Sequence, residues 1–140
     1  MATLFADSGY WSALIDNRDQ LHSRARAASA RLNDFEIVTT QMALVETLAS
    51  QAGSGERARL AATRLVERLA QSPRVEIITQ TDSQFQPAFE RYGARPDQRW
   101  SLTDCASFIV MEERGISEAL AYDRDFEQAG FTALLRHETL

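Results

Sequence analysis

The feature that most constrains the fold is the opening run Ala2-Thr3-Leu4-Phe5-Ala6, mostly apolar, without polar alternation, and closed at once by Asp7-Ser8-Gly9. A strand with one face in water alternates apolar and polar residues. A continuous apolar run bounded by turn chemistry suits instead a strand buried on both faces, as in a parallel sheet covered by helices. In open α/β sheets, ligands sit outside the carboxyl ends of the strands. Asp7 stands at that end of the expected first strand, which makes it the first candidate for a functional carboxylate.

The rest of the chain alternates between helical and strand signals. Gly9 to Ile15 predicts a short helix ending near Asp16-Asn17-Arg18. A second is expected from about Gln20 to Leu32, with Leu21, Ala25, Ala28 and Leu32 on one face and Arg24 and Arg31 off it. Asn33-Asp34 is a turn signal, and Phe35 to Thr39 reads as strand two. Thr39-Thr40 caps the next helix, on which Met42, Val45, Leu48 and Ala52 are expected to face inward, with Glu46 on the shoulder of that stripe.

Gly53-Ser54-Gly55 stops this helix, and another from about Glu56 to Gln71 presents Ala58, Ala62, Leu65 and Leu69 as an apolar face, with Arg57, Arg64 and Arg68 as a separate stripe. After the Ser72-Pro73 break, Val75 to Ile78 is strand three. Thr81-Asp82-Ser83 offers caps for a helix carrying Phe85, Phe89 and Tyr92, and Gly93 to Arg99 is an arginine-rich loop. Ser101-Leu102-Thr103-Asp104 has the form of a capping box opening a helix to about Arg114, which Gly115 ends. Ala119 to Tyr122 is a short strand running into Asp123-Arg124-Asp125-Phe126. A helical turn then stops at Gly130, and Phe131 to Leu135 supplies an edge strand.

There is no repeat, low-complexity tract or Pro/Gly-rich linker. The pattern predicts one domain spanning residues 1–140, an α/β fold with three α/β/α layers around a mainly parallel central sheet. Right-handed crossovers bring the strand carboxyl ends to one rim. That rim receives Asp7 and Asp123 directly, and the starts of the helices that carry Glu46 and Asp104.

All fifteen basic residues are arginine. A nucleotide-binding P-loop needs a lysine to reach the phosphates, and Schiff-base chemistry needs an amine, so both classes are excluded. From Asp104 onward there are eight acids against three arginines, whereas the first 103 residues balance to zero. Net negative charge argues against a nucleic-acid binder, unless several of the acids surround a cation. The lone Cys105 argues against a disulfide framework. The start lacks a charged-then-apolar leader and no run is long enough for a bilayer, so a cytoplasmic protein without a membrane partner is expected.

Four carboxylates gathered on one rim repel one another, and some must stay protonated unless a cation neutralises them. Oxygen-only ligands suit Mg2+ or Mn2+, and such an ion supports in-line phosphoryl displacement by water. Each acid also has a plainer reading. Asp7 and Asp104 can cap helices, Glu46 can be solvated, and Asp123 and Asp125 can be turn residues. Glu112, Glu113 and Glu118 read as solvated surface.

At these residues the chain resembles the PIN-domain ribonucleases of the VapC-like type, the toxin half of bacterial toxin–antitoxin pairs. The landmarks are Leu4-Phe5-Ala6-Asp7-Ser8, Ala43-Leu44-Val45-Glu46-Thr47, Ser101-Leu102-Thr103-Asp104-Cys105 and Ala121-Tyr122-Asp123-Arg124-Asp125, followed by Gln128-Ala129-Gly130-Phe131. They occur in order and span nearly the whole chain. The resemblance implies that Asp7, Glu46, Asp104 and Asp123 are the catalytic, metal-binding acids for Mg2+ or Mn2+. It implies an RNA substrate cut to 5′-phosphate and 3′-hydroxyl ends, a sheet with its first strand central, a small antitoxin partner and a homodimer. Asp125 falls at a variable position of the family, and Ala121-Tyr122 replaces a common hydroxyl residue before the fourth acid.

Ser8 and Thr103 are candidates to orient the carboxylates. Arg91, Arg95 and Arg99, or the Arg57, Arg64 and Arg68 stripe, are the available phosphate contacts. Tyr10, Trp11 and Trp100 can stack on bases, but beside apolar neighbours core packing is the safer reading. An aspartyl-phosphate phosphatase calls for a second Asp where Gly9 stands, and a receiver domain for a lysine. A non-catalytic RNA- or protein-binding module on a degenerate fold of the same kind is the alternative function, disfavoured by the presence of all four acids.

Overall fold

The computed structural model describes residues 2–137, so the two ends of the domain expected over residues 1–140 lie outside the described residues. Five strands, β1 (Ala2–Ala6), β2 (Phe35–Thr40), β3 (Val75–Ile78), β4 (Glu118–Leu120) and β5 (Thr132–Ala133), form one sheet in the order β3-β2-β1-β4-β5. Every pairing among them is parallel, and β1 is central. Seven α-helices lie between and beside the strands: α1 (Ser8–Ile15), α2 (His22–Ser29), α3 (Gln41–Gln51), α4 (Glu56–Gln71), α5 (Asp82–Ala94), α6 (Leu102–Arg114) and α7 (Arg124–Gln128). A 3-10 turn, Leu134–Arg136, follows β5.

The period-two alternation of the strands divides the core into two layers. Leu4 and Ala6 of β1, Ile37 of β2 and Leu120 of β4 pack with Tyr10, Trp11, Ala25, Leu44, Leu65 and Leu69 on one side. Phe5, Val38 and Ala119 face the other, against Ala88 of α5, Phe108 and Met111 of α6, and Phe126 of α7. Because both faces are covered, β1 carries apolar residues on both, which is why its sequence lacks alternation.

Two helices differ from expectation. α2 is shorter than Gln20 to Leu32, with Ala25 and Ala28 buried and Leu21 and Leu32 packed at its flanks. On α3 the expected inward stripe is largely overturned. Val45 and Leu48 are exposed, at 64% and 39%, and Ala52 is exposed, while Met42 is half-buried. The buried face is Ala43, Leu44, Thr47 and Gln51. Thr47 can be buried because its hydroxyl donates to the Ala43 carbonyl at 2.9 Å, so the polar residue carries its own partner into the core. The edge strand expected over Phe131 to Leu135 shrinks to two residues before the chain turns.

The carboxyl rim is braced by a polar chain and a chain of rings. Trp11 Nε1 donates to Thr39 Oγ1 at 3.0 Å, and that hydroxyl donates to the Ala6 carbonyl at 2.8 Å, joining α1 and β2 to the last residue of β1. All three groups are buried, where an unmade hydrogen bond costs about 1–3 kcal/mol. Beneath the rim, Trp100 meets Phe108 edge-on at 5.2 Å, Phe108 meets Phe126 at 5.0 Å, and Phe126 meets Phe5 at 6.4 Å. These rings precede Asp104, follow Asp123 and precede Asp7, so one aromatic row fixes the elements that carry three acids.

Candidate active site

Asp7 ends β1 and is the N-cap residue of α1, in extended geometry. Its backbone N–H donates to the Leu120 carbonyl at 3.2 Å, locking it to the end of β4. The carboxyl is buried, at 7% exposure, and Oδ1 has no hydrogen-bond partner. Burial first, then the charge of Asp104, then those of Glu46 and Asp123, push its pKa up to about 8 against the pull of the Ser8 backbone N–H. Acids from three other segments thus act on one buried carboxyl. A Cβ added at Gly9 would lie 3.7 Å from Asp7 Oδ2, at ordinary contact distance.

Asp104 sits in the first turn of α6, where the capping box forms as its sequence predicts. Ser101 N–H donates to Asp104 Oδ2, and Asp104 N–H donates to Ser101 Oγ, both at 3.0 Å. Gly115 closes the other end of the helix in the left-handed region, at φ 65°. Burial, then the charges of Asp125 and Asp123, raise the Asp104 pKa to about 6 despite the Ser101 hydrogen bonds. The capping reading and the site reading of Asp104 therefore both hold, since one oxygen is engaged by Ser101 and the carboxyl still faces the cluster.

Glu46 lies in the second turn of α3, whose N-terminus Thr40 caps by accepting from Ala43 N–H at 3.0 Å. Ser8 Oγ donates to Glu46 Oε1 at 2.6 Å, tying the glutamate to the residue after Asp7. Thr103 is buried but makes no hydrogen bond to a carboxylate among the described residues. Asp123 follows β4, is exposed, and caps α7 by accepting from Asp125 N–H at 3.4 Å. Asp125, at the position that varies in the family, is half-buried. Its pKa is raised by burial and then by Asp123, and lowered by hydrogen bonding to Asp104 and by Arg99. The structure thus adds a fifth acid, whose sequence signal is the pair Asp123-x-Asp125 at a helix start.

As the side chains stand, no group of three His, Cys, Asp or Glu residues among the described residues is arranged to hold a metal ion. The hydrogen bonds explain this spacing. Glu46 is drawn to Ser8, Asp104 to Ser101 and Asp123 to the start of α7, and like charges keep the carboxylates apart. The donor set nonetheless fits a hard divalent cation. Its ligands would be oxygens alone, and the orphaned Asp7 Oδ1 and the raised pKa values of Asp7 and Asp104 are what burial, first, and then unneutralised crowding of carboxylates produce.

The other sequence candidates divide by environment. Arg91 forms a two-pronged pair with Glu112, and Arg95 pairs with Asp97 while lying over the Trp100 ring at 5.0 Å. Arg91 lies on α5, which runs on to Ala94 and shortens the expected loop, and of the three arginines Arg99 acts on the acid cluster, through Asp125. Arg57, Arg64 and Arg68 are exposed on α4. Tyr10, Trp11 and Trp100 are core residues, as the plainer reading had them.

No protein-family model matches the chain. It is 34% identical over 129 residues to the 23S rRNA-specific endonuclease VapC20 of Mycobacterium tuberculosis, in two strains, covering 91% of this chain and 95% of that protein. The crystal structure of Mycobacterium tuberculosis VapC20, a sarcin–ricin loop cleaving toxin, superposes with a TM-score of 0.83 at 30% identity, over 94% of this chain and 98% of that one. Likeness at this level over nearly the full length of both chains decides against the non-catalytic module. An all-parallel sheet with a central strand ending in Asp7, and relatives that cut RNA as toxins, lead to one conclusion: this chain belongs to the VapC family of PIN-fold endoribonuclease toxins.

Proposed function

We infer that this chain is a divalent-cation-dependent endoribonuclease, one nuclease domain over residues 1–140, that cuts ribosomal RNA as the toxin of a toxin–antitoxin pair. The observation that carries the reading is the Asp7 carboxyl, buried, with Oδ1 unpartnered and its pKa raised by burial and by three other acids. Asp7, Asp104 and Asp123 would hold the cation, with Glu46 binding directly or through water. Mg2+ or Mn2+ bound there supplies a nucleophilic water at neutral pH and offsets charge on the phosphoryl oxygens.

The chain's own residues do the rest. Ser8 holds Glu46, and Ser101 holds Asp104, each in a fixed orientation. Asp7, its pKa raised to about 8, keeps its proton near neutral pH, and a bound cation would favour its carboxylate form. With no lysine in the chain, arginine makes the phosphate contacts, for which its planar fork is suited. Arg99, beside Asp125, is placed for one of them. The ribosomal target follows the relatives that cleave 23S rRNA.

A homodimer and an antitoxin complex belong to the same reading. Support comes from apolar side chains left outside: Val45 and Leu48 on α3 and Leu60 on α4 are exposed, on helices that pack together. Exposed apolar side chains on neighbouring helices are the material of a protein–protein contact. A cytoplasmic location is supported by the free, buried Cys105 and by the RNA substrate. No helix among the described residues is long and apolar enough to cross a membrane.

The test incubates the purified chain with ribosomes and total RNA, with Mg2+, Mn2+ or chelator, beside Asp7→Asn and Asp104→Asn, and maps the ends. The expected result is restricted cutting of 23S rRNA to 5′-phosphate and 3′-hydroxyl ends, lost with chelator and in both variants. Undiminished cutting by both variants at saturating Mn2+ would remove these carboxylates from the reaction. Cleavage of other RNAs with the 23S RNA left whole would overturn the ribosomal target.

A further inference from the structure

The sequence departs from its family at Tyr122, immediately before Asp123, and the structure gives that departure a setting. Leu120 is bonded to Asp7 through its carbonyl, and Ala121 accepts from Leu135 N–H at 3.0 Å. The next residue, Tyr122, leaves the sheet at the carboxyl rim. It is 38% exposed, whereas Ala121 is buried. Two guanidinium groups lie over its ring, that of Arg136 at 4.7 Å and that of Arg24 at 5.5 Å from the centroid.

Both arginines are held by the backbone of the same rim. Arg136 Nη1 donates to the Tyr122 carbonyl, and Arg24 Nη1 donates to the Leu135 carbonyl, each at 2.8 Å. Arg136 is further engaged by Glu127 at 3.3 Å. Among the described residues Arg24 has no carboxylate partner, and its guanidinium makes no side-chain hydrogen bond beyond that to Leu135. Beside it opens a cleft of ≈ 500 Å³ lined by Asp19, Gln20, Leu21, Arg24 and Tyr122. The one acid of that lining, Asp19, is turned to its own loop, accepting from Leu21 N–H at 2.8 Å.

An exposed aromatic ring with arginine across it is the chemistry that receives an unpaired base, because bases stack on aromatic faces and on guanidinium planes alike. We propose that Tyr122, Arg24 and Arg136 form a nucleotide-binding subsite for the RNA strand next to the bond that is cut: a base joins the Tyr122–arginine stack and the free N–H groups of Arg24 take a backbone phosphate. The subsite rests on the endoribonuclease reading and adds to it a base-holding position on the α2 side of the acid cluster. Tyr122 is bonded directly to Asp123, so the subsite adjoins the cluster.

The test measures binding, so it does not depend on turnover. Asp7→Asn is used as the parent, and its affinity for a hairpin oligoribonucleotide carrying the sarcin–ricin loop is read by anisotropy, with 2-aminopurine replacing one loop base at a time. Adding Tyr122→Ala should weaken binding about tenfold and abolish quenching of one 2-aminopurine, while Tyr122→Phe keeps both, since stacking needs the ring and not the hydroxyl. Arg24→Gln should flatten the dependence of log Kd on log salt by about 0.7, the loss of one single-strand phosphate contact. If Tyr122→Ala does not fold, Tyr122→Leu keeps apolar bulk without the π face. Binding within about twofold of the parent and an unchanged quenching pattern in the Ala or Leu variant would overturn the subsite. Failure of the unmutated chain to cut RNA would strike at the endoribonuclease reading instead, and the binding arms would still report on the subsite.

Discussion

Asp7 offers a test in which catalysis and stability move in opposite directions. Its pKa stands at about 8 in the folded chain against 3.8 as the ordinary value. The folded state therefore holds this proton more tightly than the unfolded state does. Without a cation, the stability associated with it is fully present below about pH 4 and is lost as pH rises toward 8. The slope is about 1.4 kcal/mol per pH unit for one group, a total on the order of 5 kcal/mol. Asp7→Asn removes the titrating group and supplies an N–H2 donor to the surrounding carboxylates. In chelator the variant should be more stable than the unmutated chain. Its advantage should widen by about 1.4 kcal/mol per pH unit between pH 5 and pH 8. Urea unfolding at pH 5.5, 6.5 and 7.5 reads this directly. Mn2+ at a hundred times its Kd should narrow the gap by about 2.7 kcal/mol, because the unmutated chain gains that binding energy and the variant has lost a ligand. A stability gap between the two proteins that does not change with pH would refute the electrostatic account of the site.

The same protons compete with the cation. Affinity for Mn2+, measured by calorimetry, should rise about tenfold per pH unit between pH 6 and 8 as Asp7 gives up its proton, and more steeply below 6 where Asp104 also titrates; a flat profile would mean that neither carboxyl is a ligand. Ser101→Ala removes the hydroxyl that accepts from Asp104 N–H and leaves the Ser101 N–H bond to the carboxylate; it should cost about 1 kcal/mol in a thermal melt together with a drop in cleavage rate. Ser8→Ala frees Glu46 with little effect on melting, within about 1 kcal/mol, so any fall in cation affinity then reports Glu46 orientation alone. Thr39→Val leaves the Trp11 indole N–H without its buried partner and should destabilise by about 1–3 kcal/mol in urea unfolding.

What the sequence made legible was local. Strand β3 and helix α6 could be read to the residue because their signals, Ser72-Pro73 before one and a capping box and Gly115 around the other, are short-range. Asp7, Glu46, Asp104 and Asp123 could be brought to one rim from topology alone. The misread face of α3 had a different cause. Apolar periodicity picks out Val45 and Leu48, but the helix turns Thr47 and Gln51 inward, and a buried threonine bonded to its own helix leaves no mark in an apolar pattern. At Asp125 a turn acid and a site acid look alike until Asp104 is placed beside it. The pairing of Tyr122 with Arg24 and Arg136 spans distances along the chain that no local signal covers.

The sheet order also dictates when the site comes into being. Strands β1, β2 and β3, with helices α1 to α4, occupy one half of the sheet and draw on the first part of the chain. That half can pair as soon as it is made, yet it gathers only Asp7 and Glu46. Asp104 is set by contacts within one helical turn, but Asp7 meets its neighbour Leu120 more than a hundred positions later, a closure that topology makes slow. Asp123 follows only after that closure. A partly made or partly folded chain therefore lacks the assembled acid cluster, and until β4 docks the proposed cation site does not exist.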